Sequence, residues 1–356
     1  MREVIATLDS WAAKVPAVAL ATVVRTAGST PRPAGARLAV APDGRMVGSV
    51  SGGCLEADVV EEALRTLAGE APPRVLHYGI ADELGWSVGL ACGGEVDVLV
   101  ERLEWTDADP VVAALRAAVA QDRAVALCTG IEGASLGARV LLGEDGVAGD
   151  PSSLGGDVAL AEAVGRRLVS GLSGVDQLAG RAVFVQPLVP PPKLVIVGAV
   201  DSGSVLAQLA KPLGYQVIVI DPRERFCTGE RFPHADQLLV EWPDRALAKI
   251  TLGPRDAAVC LAHDPKFDDP TLLALITGRA GYIGAIGSRQ TQASRRERLA
   301  ATGATATDLA RIHGPVGLDL GATTPAEVAL AILAELVGAR YGRGGGQLGS
   351  VPVPTG

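Results

Sequence analysis

Two cysteines sit beside paired glycines early in the chain, Cys54 in Ser51-Gly52-Gly53-Cys54-Leu55-Glu56 and Cys92 in Cys92-Gly93-Gly94-Glu95. Leu55, Val59, Ala63 and Leu67 then recur at i+4 steps, which predicts a helix from about Cys54 to Leu67. A thiol at a helix start lies among unpaired amide N–H groups, which favour the thiolate, the form that binds a soft metal or accepts sulfur. The alternative is that both cysteines simply fill space beside glycines, as small buried apolar groups. Gly28-Ser29-Thr30-Pro31-Arg32 is a further turn of small residues, and Arg32 there supplies a cation for an anionic ligand.

The second half carries a different chemistry. Gly198-Ala-Val-Asp-Ser-Gly203 follows the apolar run Leu194–Val197, and Asp221 ends the next apolar run. That spacing fits a dinucleotide fold, with a helix N-terminus for phosphate and an acid for a ribose hydroxyl. Val200, however, stands where the second glycine allows close approach of a pyrophosphate, and Asp201 adds a like charge beside it. The topology is therefore favoured over bound NAD(P), and a turn that binds nothing stays open. Tyr282–Ile286 leads into Gly287-Ser288-Arg289, a glycine and a hydroxyl at a helix start with a cation alongside, which suits an anion. Arg295, Arg296 and Arg298 further along that helix extend the cradle or form a solvated basic face. His263-Asp264 ends another apolar run; the pair serves acid–base chemistry or, more simply, stabilises a turn.

These residues need a scaffold, and the composition provides for one. The 356 residues carry 32 basic and 40 acidic side chains, a net charge of −8 that gives no general affinity for nucleic acid or anionic lipid. Hydrophobic residues make up 48%, which excludes a wholly disordered chain, while only 3% are aromatic, so the cores are aliphatic. No apolar stretch is long enough to span a membrane, the first residues make a poor signal peptide, and cytoplasmic residence is expected. Five scattered cysteines without a C-x-x-C argue against a structural zinc or a disulfide framework, and the four histidines lie far apart.

The amino-terminal part reads as α+β. An opening helix with Val4, Ile5, Leu8 and Trp11 on one face precedes a strand at Val18–Val24, a hairpin around Pro42-Asp43-Gly44, and a strand at Val96–Val100. Pro187-Leu-Val-Pro-Pro-Pro192 is semi-rigid and reads as a linker. Beyond it, runs apolar on both faces (Leu194–Val197, Val217–Ile220, Ala257–Leu261) alternate with helical pattern, as in a covered parallel sheet. Thr324-Pro325-Ala-Glu327 is a capping box opening a helix to about Arg340. The expected organisation is an α+β domain over 1–186, a Rossmann-like domain over 187–341 and a Gly/Pro-rich tail over 342–356.

Together these motifs resemble the xanthine dehydrogenase accessory family, the XdhC/CoxI-like proteins. Gly28-Ser-Thr-Pro-Arg32, Gly52-Gly-Cys-Leu-Glu56 and Leu90-Ala-Cys-Gly-Gly94 are similar to its amino-terminal signature. Asp221-Pro-Arg-Glu224, Arg231-Phe-Pro233, His263-Asp264, Tyr282–Arg289, Gly314–Asp319 and Thr324–Glu327 are similar to its carboxy-terminal one. No single motif suffices; their order and number, over most of the chain, make the resemblance specific. It implies a chaperone that binds the molybdenum cofactor, assists its sulfuration by a cysteine desulfurase, and passes it to the apoenzyme of a molybdenum hydroxylase such as xanthine or carbon monoxide dehydrogenase. Family members often show Gly-His or Val-His where this chain has Val200-Asp201, so a role borrowed through a histidine there does not carry over.

On that reading Arg32, Arg289 and the turns at Gly52, Gly53, Gly93, Gly198, Gly203, Gly287 and Ser288 hold the cargo's anionic groups. Cys54 and Cys92 face its molybdenum, Asp221, His263 and Asp264 complete the pocket, and the cofactor is expected between the domains. A homodimer suits a carrier, although no zipper pattern supports one. Two other readings stay in view, an NAD(P)-dependent oxidoreductase built on the second domain and thiol redox sensing by Cys54 and Cys92.

Overall fold

The computed structural model describes residues 2–12, 14–15, 17–79 and 94–347. The chain divides into two compact units, Met1–Pro190 and Pro191–Gly356.

The first unit is built from two antiparallel five-stranded sheets. Helix α1 (Arg2–Ala12) precedes strands β1 (Ala17–Ala27), β2 (Arg37–Val40) and β3 (Met46–Gly48), then helix α2 (Glu56–Leu67), β4 (Arg74–Tyr78) and β5 (Glu95–Glu104). Strands β2 and β3 form the hairpin expected around Pro42-Asp43-Gly44, with Val40 opposite Met46. The sheet order is β3-β2-β1-β5-β4. The same succession then recurs: α3 (Pro110–Ala120), β6 (Val125–Gly130), β7 (Arg139–Gly143), β8 (Gly146–Gly149), α4 (Asp157–Ser170), β9 (Gly174–Leu178) and β10 (Arg181–Leu188), in sheet order β8-β7-β6-β10-β9. The unit is thus one helix-and-strand pattern used twice.

Burial explains why each copy needs the other. α1 contributes Val4, Leu8 and Trp11, and α3 contributes Val112 and Leu115, to one core shared with Leu20, Leu103, Leu127 and Leu141 from both sheets. α2 and α4 each close a separate core, with Val59 and Ala63 over the first sheet and Leu160 and Val164 over the second. Antiparallel sheets with one helix-covered face and one shared face bury most of the apolar residues that the strands present, although Met46 of β3 and Val147 of β8 stand exposed.

The second unit is a six-stranded parallel sheet in the order β13-β12-β11-β14-β15-β16. Its strands are β11 (Lys193–Val197), β12 (Gln216–Ile220), β13 (Gln237–Leu239), β14 (Ala257–Cys260), β15 (Tyr282–Ala285) and β16 (Ile312–His313). Helices α5 (Asp201–Ala210) and α10 (Pro325–Arg340) cover one face, through Leu206, Ala207, Ile332 and Leu336. Helices α6 (Pro243–Leu247), α7 (Pro265–Ile276), α8 (Arg289–Ala301) and α9 (Ala306–Ala310) lie on the other, through Leu247, Leu272, Leu299 and Leu309. This strand order reverses direction at β11, and in such sheets ligands sit outside the carboxyl ends of the strands. The capping box at Thr324 and Glu327 opens α10 as its residues predict. No helix among the described residues is long and apolar enough to cross a membrane.

Candidate functional site

In the first sheet, antiparallel pairing brings the end of β1, the start of β2, the end of β3 and the start of β5 to one edge. The Gly28–Arg32 loop, the Ser49–Cys54 turn and Gly94 all leave from that edge. Gly94 lies against the first of these, for a Cβ on it would fall 2.3 Å from the Ser29 carbonyl oxygen. Cys92 and Gly93 lie outside the described residues. Arg32 is half-buried and lines a cleft of about 200 Å³ with Gly35, Arg37, Ser173 and Gln186.

The glycine turn at 52–53 already holds an anion, and it belongs to the chain. One Glu56 carboxylate oxygen accepts from the Ser49 hydroxyl at 2.7 Å and from the amides of Val50, Ser51 and Gly52 at 3.2, 3.0 and 3.1 Å. The other accepts from the Gly53 amide at 2.8 Å and from the Ser51 hydroxyl. Burial, which raises a carboxyl pKa, is outweighed by these donors, and Glu56 is held down at about 2. The expected helix start at Cys54 moves accordingly. α2 begins at Glu56 with Leu55 as its N-cap, because the turn amides are spent on the Glu56 side chain and Gly52 and Gly53 hold φ of 78° and 126°, outside the helical region. Chain neighbours aside, no described atom lies within 4 Å of where a Cβ on either glycine would stand, and both glycines are exposed.

Cys54 follows directly and is partly exposed, whereas Cys128, Cys227 and Cys260 are buried. Burial pushes the Cys128 thiol up to about 12 and the other two buried thiols up as well, which leaves them protonated and inert. Among the described residues no three His, Cys, Asp or Glu side chains are grouped to hold a metal ion.

In the second unit the predicted residues gather along the carboxyl edge of the parallel sheet. Gly198 has φ 107°, and a Cβ there would lie 2.8 Å from the Ala262 amide nitrogen, so only glycine lets the β11 turn pass the end of β14. Gly203 packs the first turn of α5 against Ile196. Asp201 does not face the turn as a free charge, since its carboxylate receives Arg231 at 2.9 Å.

Asp221 departs further from expectation. It is 2% exposed; one oxygen accepts from the Arg223 amide and Nε, at 2.9 and 2.8 Å, and the other from the Ala199 amide and Arg223 Nη2, at 2.7 and 2.6 Å. A carboxylate offers about four lone-pair directions, so the acid read as a ribose ligand is saturated by its own chain. Opposed by burial, these bonds hold its pKa low. Asp264 caps α7 by accepting from the Lys266 amide at 2.9 Å, while His263 is exposed with φ 59°.

Ser288 caps α8 by accepting from the Thr291 amide, and Arg289 stands exposed in its first turn with no hydrogen bond or ion pair among the described residues. The later arginines of that helix are not a solvated face as a group. Arg295 is buried and donates to Asp268 at 2.8 Å, and Arg298 pairs with Asp269 at 2.6 Å. Both tie α8 to α7.

Both units have counterparts among known proteins. Residues 194–336 match the XdhC Rossmann domain, and residues 11–79 match the XdhC and CoxI family. The chain is 32% identical to a probable xanthine dehydrogenase subunit of Bacillus subtilis (strain 168), over 90% of this chain and 92% of that one. It belongs to the XdhC and CoxI family. This family member is also 28% identical to the molybdenum cofactor insertion chaperone PaoD of Escherichia coli (strain K12), over 90% of its own length and 83% of PaoD. A crystal structure of a xanthine dehydrogenase from Bacillus halodurans is similar across 98% of both chains, with 25% identity and a TM-score of 0.69.

The two matched stretches contain the Ser49–Glu56 turn and the whole carboxyl edge from Gly198 to Arg289. What the motifs alone missed in this XdhC relative is who occupies the glycine turn. The signal was present, a glutamate three residues beyond the second glycine, in the position from which a side chain reaches back to turn amides.

Proposed function

We propose that this protein carries the molybdenum cofactor to a molybdenum hydroxylase, such as xanthine or carbon monoxide dehydrogenase, and presents it to a cysteine desulfurase for sulfuration on the way. The observation that carries the reading is Cys54. It is the one partly exposed thiol among the described cysteines, placed on an open glycine turn whose backbone is locked by Glu56. A carrier needs a soft donor near solvent to meet a metal dithiolene or a persulfide, and a rigid loop to hold it. The likeness to PaoD over most of both chains supports the choice of cargo.

The cargo's phosphate needs cations and amide donors. Arg32 at the first unit's glycine edge, and Arg289 with Gly287 and Ser288 in the second unit, are the residues we assign to anions. Cys92 and Gly93 join the proposal on sequence alone. An oxidoreductase using NAD(P) is the weaker reading, because the saturated Asp221 has no lone pair left for a ribose hydroxyl.

Purification from a host that makes the cofactor, followed by metal analysis and pterin fluorescence after oxidation, tests this. Molybdenum and pterin co-purify with the wild-type chain and fall sharply in Cys54→Ala. A wild-type protein with neither signal, or a Cys54→Ala variant that keeps both, overturns the reading.

A further inference from the structure

The repeat within the first unit lets each side chain of one copy be compared with its counterpart in the other. Helices α1 and α3 correspond: Val4 and Leu8 on the first, and Val111 and Leu115 on the second, enter the shared core at matching places. Trp11 stands eleven residues before Thr22, and Ala118 eleven residues before Thr129; those threonines face Arg37 and Arg139 across matching strand pairs. Ala118 therefore holds the place of Trp11. In the hairpins, Val47 faces Ala39 as Ala148 faces Leu141, and Met46 faces Val40 as Val147 faces Leu142. Gly146 therefore holds the place of Arg45.

The first copy is filled at this point. Trp11 is 9% exposed, in one core with Val18, Ala39 and Ala41, and the Arg45 guanidinium lies over the ring, 5.2 Å from its centroid. The second copy has neither ring nor cover. A cleft of about 210 Å³ lies there instead, walled by Ala118, Val125, Leu141, Gly143, Val147 and Ala148. Leu141 is larger than its counterpart Ala39 and narrows the space, while Gly143 is smaller than Ala41 and widens it. Ala118, Val125 and Leu141 are buried, whereas Val147 is 52% exposed, so the cleft reaches the surface. The charged residues that line it, Arg123 and Asp145, pair with each other, which leaves the rim neutral. Interiors ordinarily pack without a gap of this size.

We infer that this cleft binds a small molecule through a flat, uncharged aromatic ring of about indole size. The fold seats that shape in its first copy, and the walls of the second are apolar, as small-molecule sites mostly are. A ring entering there buries a large apolar area, while the neutral rim gives no preference for a charged group. No residue of the cleft belongs to the glycine edge or to the parallel sheet, so the site is separate from the cargo proposed for Cys54.

Calorimetric titration of the full chain with indole tests this, with imidazole as a smaller, polar control ring. The wild-type chain binds indole saturably and imidazole not. Ala118→Trp, which gives the second copy the first copy's ring, weakens indole binding at least tenfold and raises the urea midpoint of unfolding, because the cleft is then filled from within. Where Ala118→Trp is unfolded by circular dichroism or less stable than the wild type, Ala118→Leu, which fills part of the same space, decides by the same loss of indole binding. Absence of saturable indole binding by the wild type overturns the inference. So does imidazole binding as tight as that of indole, or undiminished indole binding by the folded Ala118 variants.

Discussion

Arg25 donates to the Glu132 carboxylate at 2.5 Å, a pair that joins the two copies of the first unit's fold. The copies share a register up to a bulge between Val23 and Arg25 in β1. Thr22 of β1 faces Arg37 of β2 as Thr129 of β6 faces Arg139 of β7, and Arg25 and Glu132 each lie three residues beyond those threonines. Leu20 faces Glu101 and Leu127 faces Gln186 in the same way. The copies then exchange partners. Arg37 of the first donates to Gln186 of the second, and Arg139 of the second lies 3.6 Å from Glu101 of the first. The unit is therefore joined by reciprocal polar contacts as well as by the shared core.

The buried member of that exchange matters more than the exposed one. Arg37 is fully buried, and desolvation lowers its pKa to about 10 against the pull of Glu101. Gln186→Leu removes one acceptor from this guanidinium and destabilises the unit by about 1–3 kcal/mol. Arg25→Ala, at a solvent-exposed pair, costs about 0.5 kcal/mol. Urea unfolding of both variants checks the order, and a Gln186→Leu variant as stable as Arg25→Ala contradicts it.

The Glu56 bonds set an acid dependence. Its folded pKa of about 2 lies below the ordinary 4.5, so its contribution is complete above about pH 4.5 and is lost as the pH falls towards 2. Glu56→Gln should lower stability near neutrality by about 1–2 kcal/mol, and the gap from wild type should close across that acid window. Thermal unfolding at a series of pH values gives the gap directly; one that stays constant down to pH 2 is the contrary result.

Thiol accessibility gives a prediction about chemistry. Brief native alkylation with iodoacetamide modifies Cys54 and leaves Cys128, Cys227 and Cys260 unmodified, because those three are buried with raised pKa values. Peptide mass mapping reads this residue by residue, and labelling of the buried three at the rate of Cys54 would disprove it.

Two neighbouring carboxylates on α7 should differ sharply. Asp268→Ala strands the buried Arg295 and costs about 3 kcal/mol, whereas Asp269→Ala frees a half-exposed Arg298 and costs under about 1 kcal/mol. Chemical denaturation of the two variants side by side decides, and similar losses would mean that the Ile286 carbonyl and Gln292, which Arg295 also donates to, suffice to hold it.

The parallel sheet was legible residue by residue. Runs such as Leu194–Val197 and Val217–Ile220 are apolar throughout because both faces are covered, and no short-range competitor disturbs that pattern. The hairpin at Pro42-Asp43-Gly44 and the capping box at Thr324 were legible for a similar reason, since turn and cap chemistry is local. The second sheet was not. β7 and β8 are short, with glycine at 143, 146 and 149, and the likeness between the two copies resides in strand order and register, while most equivalent positions carry different residues.

The chain's residue types alone determined the fully apolar strands of the parallel sheet, the first hairpin, the capped start of α10 and which cysteines and glycines are candidates for chemistry, because those properties depend on neighbours within a few positions. Tertiary structure alone decided that Glu56 fills the glycine turn, that Asp221 is spent on Arg223 and Ala199, and that Arg295 is buried while Arg289 stands exposed. A side chain's hydrogen-bonding capacity is finite, and which partners claim it depends on what folding brings within about 3 Å.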